Sequence, residues 1–502
     1  MPESPHAGRL RELASEMLAE RRLIIASNRG PVEYEVDEGG DLRGTRGSGG
    51  LVTALASVSR YAELTWVAAA MSDGDRAMAR QEGGGRFHSP VADEQMYLRF
   101  VDLPRRQYNR YYNVLSNPLL WFIQHYMWNT PRTPNVLQAT YDAWEQGYVP
   151  VNEAFARCIA DEVGQDDAPP YVMTQDYHLY LAAGFVRAAI PGAIIQHFVH
   201  IPWPDPRYWE LLPREMRLQI FESLACCDFV GLQTQRDARN FLHGCEAVLP
   251  GAEIDYRRSS VWHRGRLSLV RAYPISVDAP GLEKLASSEV VAAYTQRLAP
   301  LFRHKTILRV DRMEPSKNIM RGFRAFELLL QRHPELHGEV SFIAFLVPSR
   351  QELQLYRTYT DDVFEVVESI NDGFGTPDWR PITVFHENNY EQAIAGMQNY
   401  DVLLVNPVID GMNLVSKEGP LVNKRDGVLV LSEAAGSHEE LGEHVISVAT
   451  GDIEGTQRAL YEALMMPAAE RKQRAAAIRR LVRKKDIAAW LEAQFRDLRS
   501  LA

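Results

Sequence analysis

Along most of the chain, short apolar runs rich in Val, Ile and Leu alternate with longer stretches whose apolar residues recur every three or four positions. The short runs are 23–27, 65–70, 171–174, 193–200, 229–233 and 269–275, then 306–310, 340–347, 382–385, 402–406, 427–431 and 444–448. Runs of this length predict buried strands, and their interleaving with helical stretches predicts βαβ units with parallel sheets. Two such sets predict an α/β protein with two doubly wound, Rossmann-like domains. The break is expected near residue 280, because the stretch Tyr273-Pro274-Ile275-Ser276-Val277-Asp278-Ala279-Pro280 closes one strand and an amphipathic stretch precedes the next. Residues 468–498 are rich in Ala, Arg and Leu and carry no strand pattern, which predicts a helical terminus.

Composition narrows the picture. A chain of 502 residues is longer than one core ordinarily supports, and 46% hydrophobic residues exclude disorder over its whole length. Lys and Arg number 55 against 65 Asp and Glu, leaving a net charge of −10. That balance argues against the broad basic surface that nucleic acid requires, while a local basic pocket for a phosphorylated small molecule stays open. Cys158, Cys226, Cys227 and Cys245 form no C-x-x-C pair and no zinc-ligand spacing, so reduced core thiols are expected. The first 22 residues mix Glu and Arg with Leu and Met, unlike a secretory signal, and nothing approaches a membrane span. A cytoplasmic protein with no membrane partner is expected.

In open α/β sheets, ligands bind beyond the carboxyl ends of strands, so the residues that follow each strand are the candidates. Ser27-Asn28-Arg29-Gly30-Pro31 follows the first strand, and Gly47-Ser48-Gly49-Gly50-Leu51 precedes a helical pattern, where free backbone N–H groups suit an anion. Val52 stands where a dinucleotide fingerprint has its third glycine, and a flexible loop is the alternative. Asp73-Gly74-Asp75 could be a metal-binding D-x-D or a solvated turn; with no further ligand set visible, no metal is expected. Asp176-Tyr177-His178 and His197-Phe198-Val199-His200 stand at strand ends, as ligand groups or as satisfied core histidines.

The second half is more informative. Arg312 and Lys317 lie between a strand and a helix start, a combination that suits a diphosphate unless it is a solvated charge cluster. Asp410 and Glu418 are eight residues apart, so one helical side can carry both, one for sugar hydroxyls and one for a ribose; a capped helix with a solvated Glu is the alternative. In His386-Glu387-Asn388-Asn389-Tyr390 the asparagines offer donors and acceptors suited to the edge of a base, a purine being expected, or they shape a turn before the next helix.

Ser-Asn-Arg, Gly-Gly-Leu, Tyr-Asn-x3-Asn-x3-Trp from Tyr112 to Trp121, Asp-Tyr-His-Leu, His-Ile-Pro-Trp-Pro, Gly-Leu-Gln-Thr, Arg-x4-Lys, Pro-Ser-Arg and Asp-Gly-Met-Asn-Leu-Val-x-Lys-Glu resemble, in the same order, the motifs of trehalose-6-phosphate synthases. The resemblance spans roughly residues 22 to 495. It implies the GT-B glycosyltransferase architecture: two facing Rossmann-like domains, an acceptor domain over 1–280, a nucleotide-sugar domain over 281–478, and a C-terminal helix over 479–502 that crosses back to the first.

Carried over by position, the resemblance assigns Arg29, Tyr112, Trp121 and Arg350 to the acceptor phosphate end, and Asp176 to the acceptor's hydroxyls. Gly50 falls against the donor phosphate, His200 near the donor sugar, Arg312 and Lys317 on the diphosphate, Asp410 on the donor sugar, Leu414 near the phosphates and Glu418 on the ribose. The implied reaction is glucose transfer from a nucleoside diphosphate to glucose 6-phosphate, with retention, by front-face displacement and without a metal or other cofactor. The implied partners are small molecules, and a homo-oligomer is left open. Ala69 replaces an expected tryptophan, Gln175 a histidine and Asn318 a glycine. These departures, together with Trp203, Tyr208-Trp209 and Gly419-Pro420-Leu421-Val422-Asn423, make the chain resemble an actinobacterial branch that includes validoxylamine-phosphate synthase, a resemblance that favours GDP-glucose over UDP-glucose. Other readings are a pseudo-glycosyltransferase joining a nucleotide-linked cyclitol to an amino-cyclitol phosphate, a glucosylglycerol-phosphate synthase, and a non-enzymatic sugar-phosphate sensor.

Overall fold

The computed structural model describes residues 6–19, 21–37, 39–47, 57–60, 63–91, 95–164 and 167–501. They divide into two compact bodies: Ser276–Ile487, and the residues up to Ile275 together with those from Ala488 onward.

The first body is built on a ten-stranded sheet with Leu23–Ser27 near its middle. On one side lie Leu64–Ala69 and Met96–Val101, both parallel, and then the short antiparallel Phe87–His88. On the other lie Tyr171–Gln175, Ile194–Phe198, Phe229–Leu232 and Arg266–Ala272 in parallel, followed by antiparallel Ser260–His263 and Glu253–Asp255. All residues of Leu23–Ser27, Leu64–Ala69 and Tyr171–Gln175 are buried, the pattern of strands covered on both faces. Strand order reverses between Leu23–Ser27 and Tyr171–Gln175, which makes their carboxyl ends the switch point of this sheet.

The second body has six parallel strands in the order Ile382–Phe385, Val340–Val347, Lys305–Arg312, Val402–Val405, Val428–Ser432 and Ile446–Val448. Its switch point lies between Lys305–Arg312 and Val402–Val405. Alternate strand residues serve alternate faces. Ile307, Phe342 and Leu404 join a core with Phe323, Phe326, Val363 and Leu460, while Leu308, Ile343 and Leu403 join another with Leu282, Ile394 and Ile478.

All twelve expected strands are present, with ends shifted by at most a few residues. The hairpin Val32–Val36 with Leu42–Arg46, the pair Glu253–Asp255 and Ser260–His263, and the strands Phe87–His88 and Met96–Val101 have no counterpart among the expected runs. They are mixed in polarity, because most lie at sheet edges or outside the main sheet, where one side meets water. The chain passes between bodies at 275/276 and 487/488. The expected breaks at 280 and 479 fall inside the second body, because Ala279, Leu282 and Ala286 on one helix and Ile478 and Val482 on another help to form its core. From Ala488 the chain belongs to the first body, where the Trp490 indole donates to the Tyr273 carbonyl at 3.0 Å and Gln196 Nε2 donates to Gln494 Oε1 at 2.9 Å.

Among the described residues, no helix is long and apolar enough to cross a membrane. Nor does any group of three or more His, Cys, Asp or Glu stand where it could hold a metal ion. Asp73-Gly74-Asp75 is a helix start. The Ser72 hydroxyl accepts from Asp75 N at 2.8 Å, and Asp75 Oδ2 accepts from Met71 N and Ser72 N, each at 3.0 Å. Asp75 Oδ1 accepts from Tyr34 N at 2.8 Å, and Asp73 pairs with Arg105. Gly74 is the contact between this helix and the hairpin, since a Cβ there would sit 2.1 Å from the Tyr34 carbonyl oxygen. Gly74→Ala is therefore expected to cost about 1–3 kcal/mol by overpacking against main chain that cannot rotate away. Thermal unfolding measures it, and an unchanged midpoint would refute the contact.

Candidate functional site

Each body gathers candidate residues at its own switch point. In the first body, Ser27 ends the central strand and its hydroxyl accepts from the Trp66 indole at 2.8 Å while donating to the Arg29 carbonyl at 2.7 Å. The turn is thereby fixed, with Asn28 buried and the Arg29 side chain exposed to solvent. Tyr112 lies on a π-helical segment, Arg110–Leu120, that contains Pro118. Its ring stacks between Tyr108, at 5.4 Å between centroids, and His178, at 5.7 Å. Trp121 is 2% exposed and stacks on His125 at 3.9 Å, so its indole is core material with little surface for a ligand. Gly50 lies outside the described residues.

Asp176 follows the strand Tyr171–Gln175 with φ of 68° and ψ of 172°, a conformation that glycine adopts freely and other residues adopt at a cost. Its amide donates to the Phe198 carbonyl at 2.7 Å, and its Oδ1 accepts from the His200 amide at 3.2 Å, tying together the ends of two neighbouring strands. His200 Nε2 lies 2.9 Å from Gln175 Oε1. With the amide oxygen as acceptor, Nε2 carries the proton and Nδ1 is left with its lone pair. Burial, with a lesser contribution from His197, pushes the His200 pKa down to about 3, and burial does the same to His197. Both rings are neutral at neutral pH.

In the second body, Lys305–Arg312 runs into a short turn, Pro315–Lys317, and the helix Ile319–Arg332. Arg309 is fully buried inside that strand. Its guanidinium donates to Asp311 Oδ2 at 2.7 Å, to the Lys317 carbonyl at 2.6 Å and to Asn406 Oδ1 at 2.7 Å. Lys317 Nζ pairs with Asp410 Oδ2 at 2.5 Å, and Asn413 Nδ2 donates to the same oxygen at 3.1 Å. Arg312 is half-exposed and bonds Glu314 Oε1 at 2.9 Å. Asn318, standing where the family resemblance leads one to expect glycine, adopts φ of 60° and donates to the carbonyls of Asn406 and Thr450, so its amide anchors the left-handed turn.

Asp410 and Glu418 do not share a helical side, contrary to the eight-residue spacing argument. The helix is Val415–Val422, capped by Leu414, and Asp410 precedes it in a loop bridged to Ala435. Asn413, with φ of 70°, turns the chain between them. Glu418 sits in the first turn and accepts from the Tyr390 hydroxyl at 3.0 Å; burial raises its pKa. Asn388 is exposed, whereas Asn389 caps the helix Tyr390–Met397 by accepting from Gln392 N at 3.0 Å and donates to the Tyr294 hydroxyl. Asn389 is thus a turn-former, the alternative reading of that stretch.

Arg309, Glu314, Gln175 and Trp490 were not among the expected site residues. A lone arginine inside the apolar run Thr306–Val310 was a readable signal, as was a glutamate between two candidate cations. Arg350 follows the strand Val340–Val347 with φ of 44°, and its guanidinium bonds the Tyr356 hydroxyl.

Glycosyltransferase family 20 matches residues 21–500. The alpha,alpha-trehalose-phosphate synthase [UDP-forming] of Schizosaccharomyces pombe is 30% identical over 476 residues, covering 92% of this chain and 87% of that one. The enzyme of the same name numbered 2 in Aspergillus fumigatus is 32% identical over 479 residues, covering 94% and 95%. Among solved structures, an alpha,alpha-trehalose-phosphate synthase (UDP-forming) from Burkholderia xenovorans in complex with glucose-6-phosphate superimposes with a TM-score of 0.80 at 28% identity, covering 95% of this chain and 100% of that one. A structure described as trehalose-6-phosphate from E. coli bound with UDP-2-fluoro glucose gives a TM-score of 0.80 at 26% identity, covering 95% and 98%.

The two desolvated imidazoles, His197 fully buried and His200 partly so, imply a pH dependence of stability. Their folded pKa values lie below the ordinary 6.5, so the unfolded chain takes up protons first, and stability falls as pH drops from about 6.5 toward 3. Each ring contributes a slope of at most about 1.4 kcal/mol per pH unit. His197→Gln, which can keep the bond to the Thr174 hydroxyl, is expected to flatten the dependence of unfolding free energy on pH between 6.5 and 5. Denaturant melts at several pH values measure this, and parallel curves for variant and wild type would overturn it.

Proposed function

Because the chain belongs to glycosyltransferase family 20, we propose that it moves glucose from a nucleoside-diphosphate glucose to glucose 6-phosphate, forming trehalose 6-phosphate with retention. The reading is carried by the placement of Arg312, Lys317, Asp410 and Glu418 around the switch point of the second sheet, where a Rossmann-like domain binds a nucleotide. Arg312 and Lys317 take the diphosphate, with amides around Leu414 at the start of the following helix beside it. Glu418, now held by Tyr390, is an acceptor suited to ribose hydroxyls. In the first body, Arg29, Tyr112 and Asp176 form the acceptor side. Arg350 is assigned to the acceptor phosphate by its Pro-Ser-Arg motif, and Gly50 to the donor phosphate in the same way.

The chemistry follows from fixed charge. A double-displacement route needs a carboxylate free to attack the anomeric carbon. Asp410 is instead bonded by Lys317 and Asn413, which suits it to holding sugar hydroxyls and a cation. We therefore read the transfer as front-face displacement: the leaving phosphate oxygen accepts the proton of the attacking hydroxyl while the two cations stabilise its growing charge. Neutral His200, with Nε2–H directed to Gln175, keeps Nδ1 as an acceptor for a sugar hydroxyl. The cations supply the charge that a divalent ion would otherwise bring.

The donor base is read as uracil. The relatives reported above are UDP-forming, and of the two asparagines that favoured a purine, Asn389 is occupied as a helix cap. The likeness to an actinobacterial branch rests on Ala69, Gln175 and Asn318 together with Trp203, Tyr208-Trp209 and Gly419-Pro420-Leu421-Val422-Asn423, and gains nothing from fungal relatives.

Lys317→Ala and Arg312→Ala are each expected to lower kcat about 100-fold or more, the scale of losing one preorganised charge donor. Near-native turnover in either variant would remove the clamp. Unphosphorylated glucose is expected to be a poor acceptor, since it offers the arginines nothing to bind, and equal kcat/KM for glucose and glucose 6-phosphate would contradict that. Competition of UDP-glucose against GDP-glucose in one reaction reports the base. Preference for GDP-glucose would return the purine reading and leave the reaction class untouched.

A further inference from the structure

Glu314 lies between two segments that the site already uses, and no role has yet been given to it. It is 0% exposed. Its Oε1 is ion-paired with Arg312 Nη1 at 2.9 Å and accepts from the Ser349 hydroxyl at 2.9 Å, and Arg350 Nη1 stands 4.0 Å away. Arg312 ends the strand Lys305–Arg312, while Ser349 and Arg350 follow its neighbour Val340–Val347, in which Val347 is the register partner of Arg312. One buried oxygen therefore holds the ends of two adjacent strands and stands beside both guanidinium groups. The glutamate's own backbone is pinned: its N–H donates to the Arg312 carbonyl at 2.8 Å, and its carbonyl accepts from Lys317 N at 3.0 Å. Oε2 is buried and has no hydrogen-bond partner among the described residues.

Burying a carboxylate is costly, and an ion pair of this kind is a poor source of stability by itself. Burial would raise the pKa of Glu314, but the charges of Arg312, Arg350 and Lys317 and the Ser349 bond outweigh it and hold the pKa down to about 2. The group is an anion throughout the working pH range. A long arginine side chain with half its surface in water would otherwise spend its time among many rotamers.

We infer that Glu314 is a positioning residue that sets both phosphate-binding arginines of the second body, Arg312 for the donor diphosphate and Arg350 for the acceptor phosphate, from one fixed charge. The inference rests on the reaction proposed above, and it adds that the two arginines are not independent. The motif Arg-x4-Lys and the motif Pro-Ser-Arg are mechanically one unit, joined through a side chain that touches neither substrate.

Glu314→Gln keeps the shape and removes the charge. It is expected to raise the KM for glucose 6-phosphate and the dissociation constant of UDP each by about 10-fold or more, the scale of misplacing a charged ligand group by a fraction of its bond length. If Glu314 instead only weakened the cations by neutralising them, UDP would bind the variant more tightly, and that result would overturn the inference. A double-mutant cycle separates positioning from general damage: in an Arg350→Ala background, adding Glu314→Gln should leave the glucose 6-phosphate KM unchanged. An undiminished further rise would mean that Glu314 does not act through Arg350. Ser349→Ala, which removes one donor to Oε1 and buries no new charge, should move KM and UDP affinity in the same direction by a smaller factor, and it carries the test if Glu314→Gln does not fold. Wild-type release of UDP with glucose 6-phosphate checks the underlying reaction separately. Without that release the reaction is wrong, while UDP titration of the variants still decides the role of Glu314.

Discussion

A guanidinium with no access to water must find its partners inside the protein, and in the second body that requirement organises the switch point. Arg309 lies on the central strand with apolar neighbours, and its N–H groups gather Asp311 from its own strand, the Lys317 carbonyl from the turn that follows and Asn406 from the end of the next strand in the sheet. Each of these would be free to drift if the charge were absent. Asp311 is itself buried, and burial raises its pKa even beside Arg309. Gly322 completes the arrangement, since a Cβ there would meet Arg309 Nη1 at 2.2 Å, and that guanidinium is held by its other bonds. The backbone of Lys317 is thus placed by Arg309 before its side chain reaches Asp410.

Among the described residues, the switch point of the first body is held together without a buried cation, the buried Arg187 lying elsewhere in that body against Asp228. Its switch point is held by backbone and by neutral rings: Asp176 in a costly conformation, with the His200 amide on its carboxylate, and two imidazoles that burial keeps uncharged. The returning helix Ile487–Arg499 supports this end of the sheet, with Trp490 edge-on to Phe198 at 5.2 Å and its N–H on Tyr273. Arg29 is exposed at the end of the central strand, where a phosphate can reach it.

Much of this was legible in the sequence, and the parts that were not share a cause. Strands such as Leu23–Ser27, Val402–Val405 and Val428–Ser432 are continuous apolar runs because both of their faces are covered, so pattern alone finds them. Edge strands and the Val32–Val36 hairpin carry mixed patterns and escape the same test. Arg312, Lys317 and Asp410 could be singled out because charge beside a strand end is conspicuous. The spacing argument for Asp410 and Glu418 failed because it assumed a helix through both, whereas Asn413 turns the chain and delays the helix to Val415. Trp121 had the right motif but stacks on His125 in the core, which depends on tertiary packing that one segment cannot report. Glu314 escaped because its importance lies in Ser349 and Arg350, more than thirty residues away in sequence.

For the proposed transfer, the pairing of every clamp cation with a carboxylate has a consequence for rate. Lys317 is paired with Asp410 and Arg312 with Glu314 before any substrate arrives. Each cation is therefore held in one place when a diphosphate arrives, and the ordering of a long side chain that binding would otherwise require is already done. As the sugar–phosphate bond breaks, charge builds on the leaving oxygen and the same cations shift their interaction toward it, at positions already fixed by Glu314 and by the Arg309 cluster. Charge fixed in advance costs no reorganisation as the bond breaks, so it favours the transition state, where charge is greatest on the leaving oxygen, and raises kcat instead of only lowering KM. The acidic residues of the clamp thus contribute to catalysis by fixing the cations they hold.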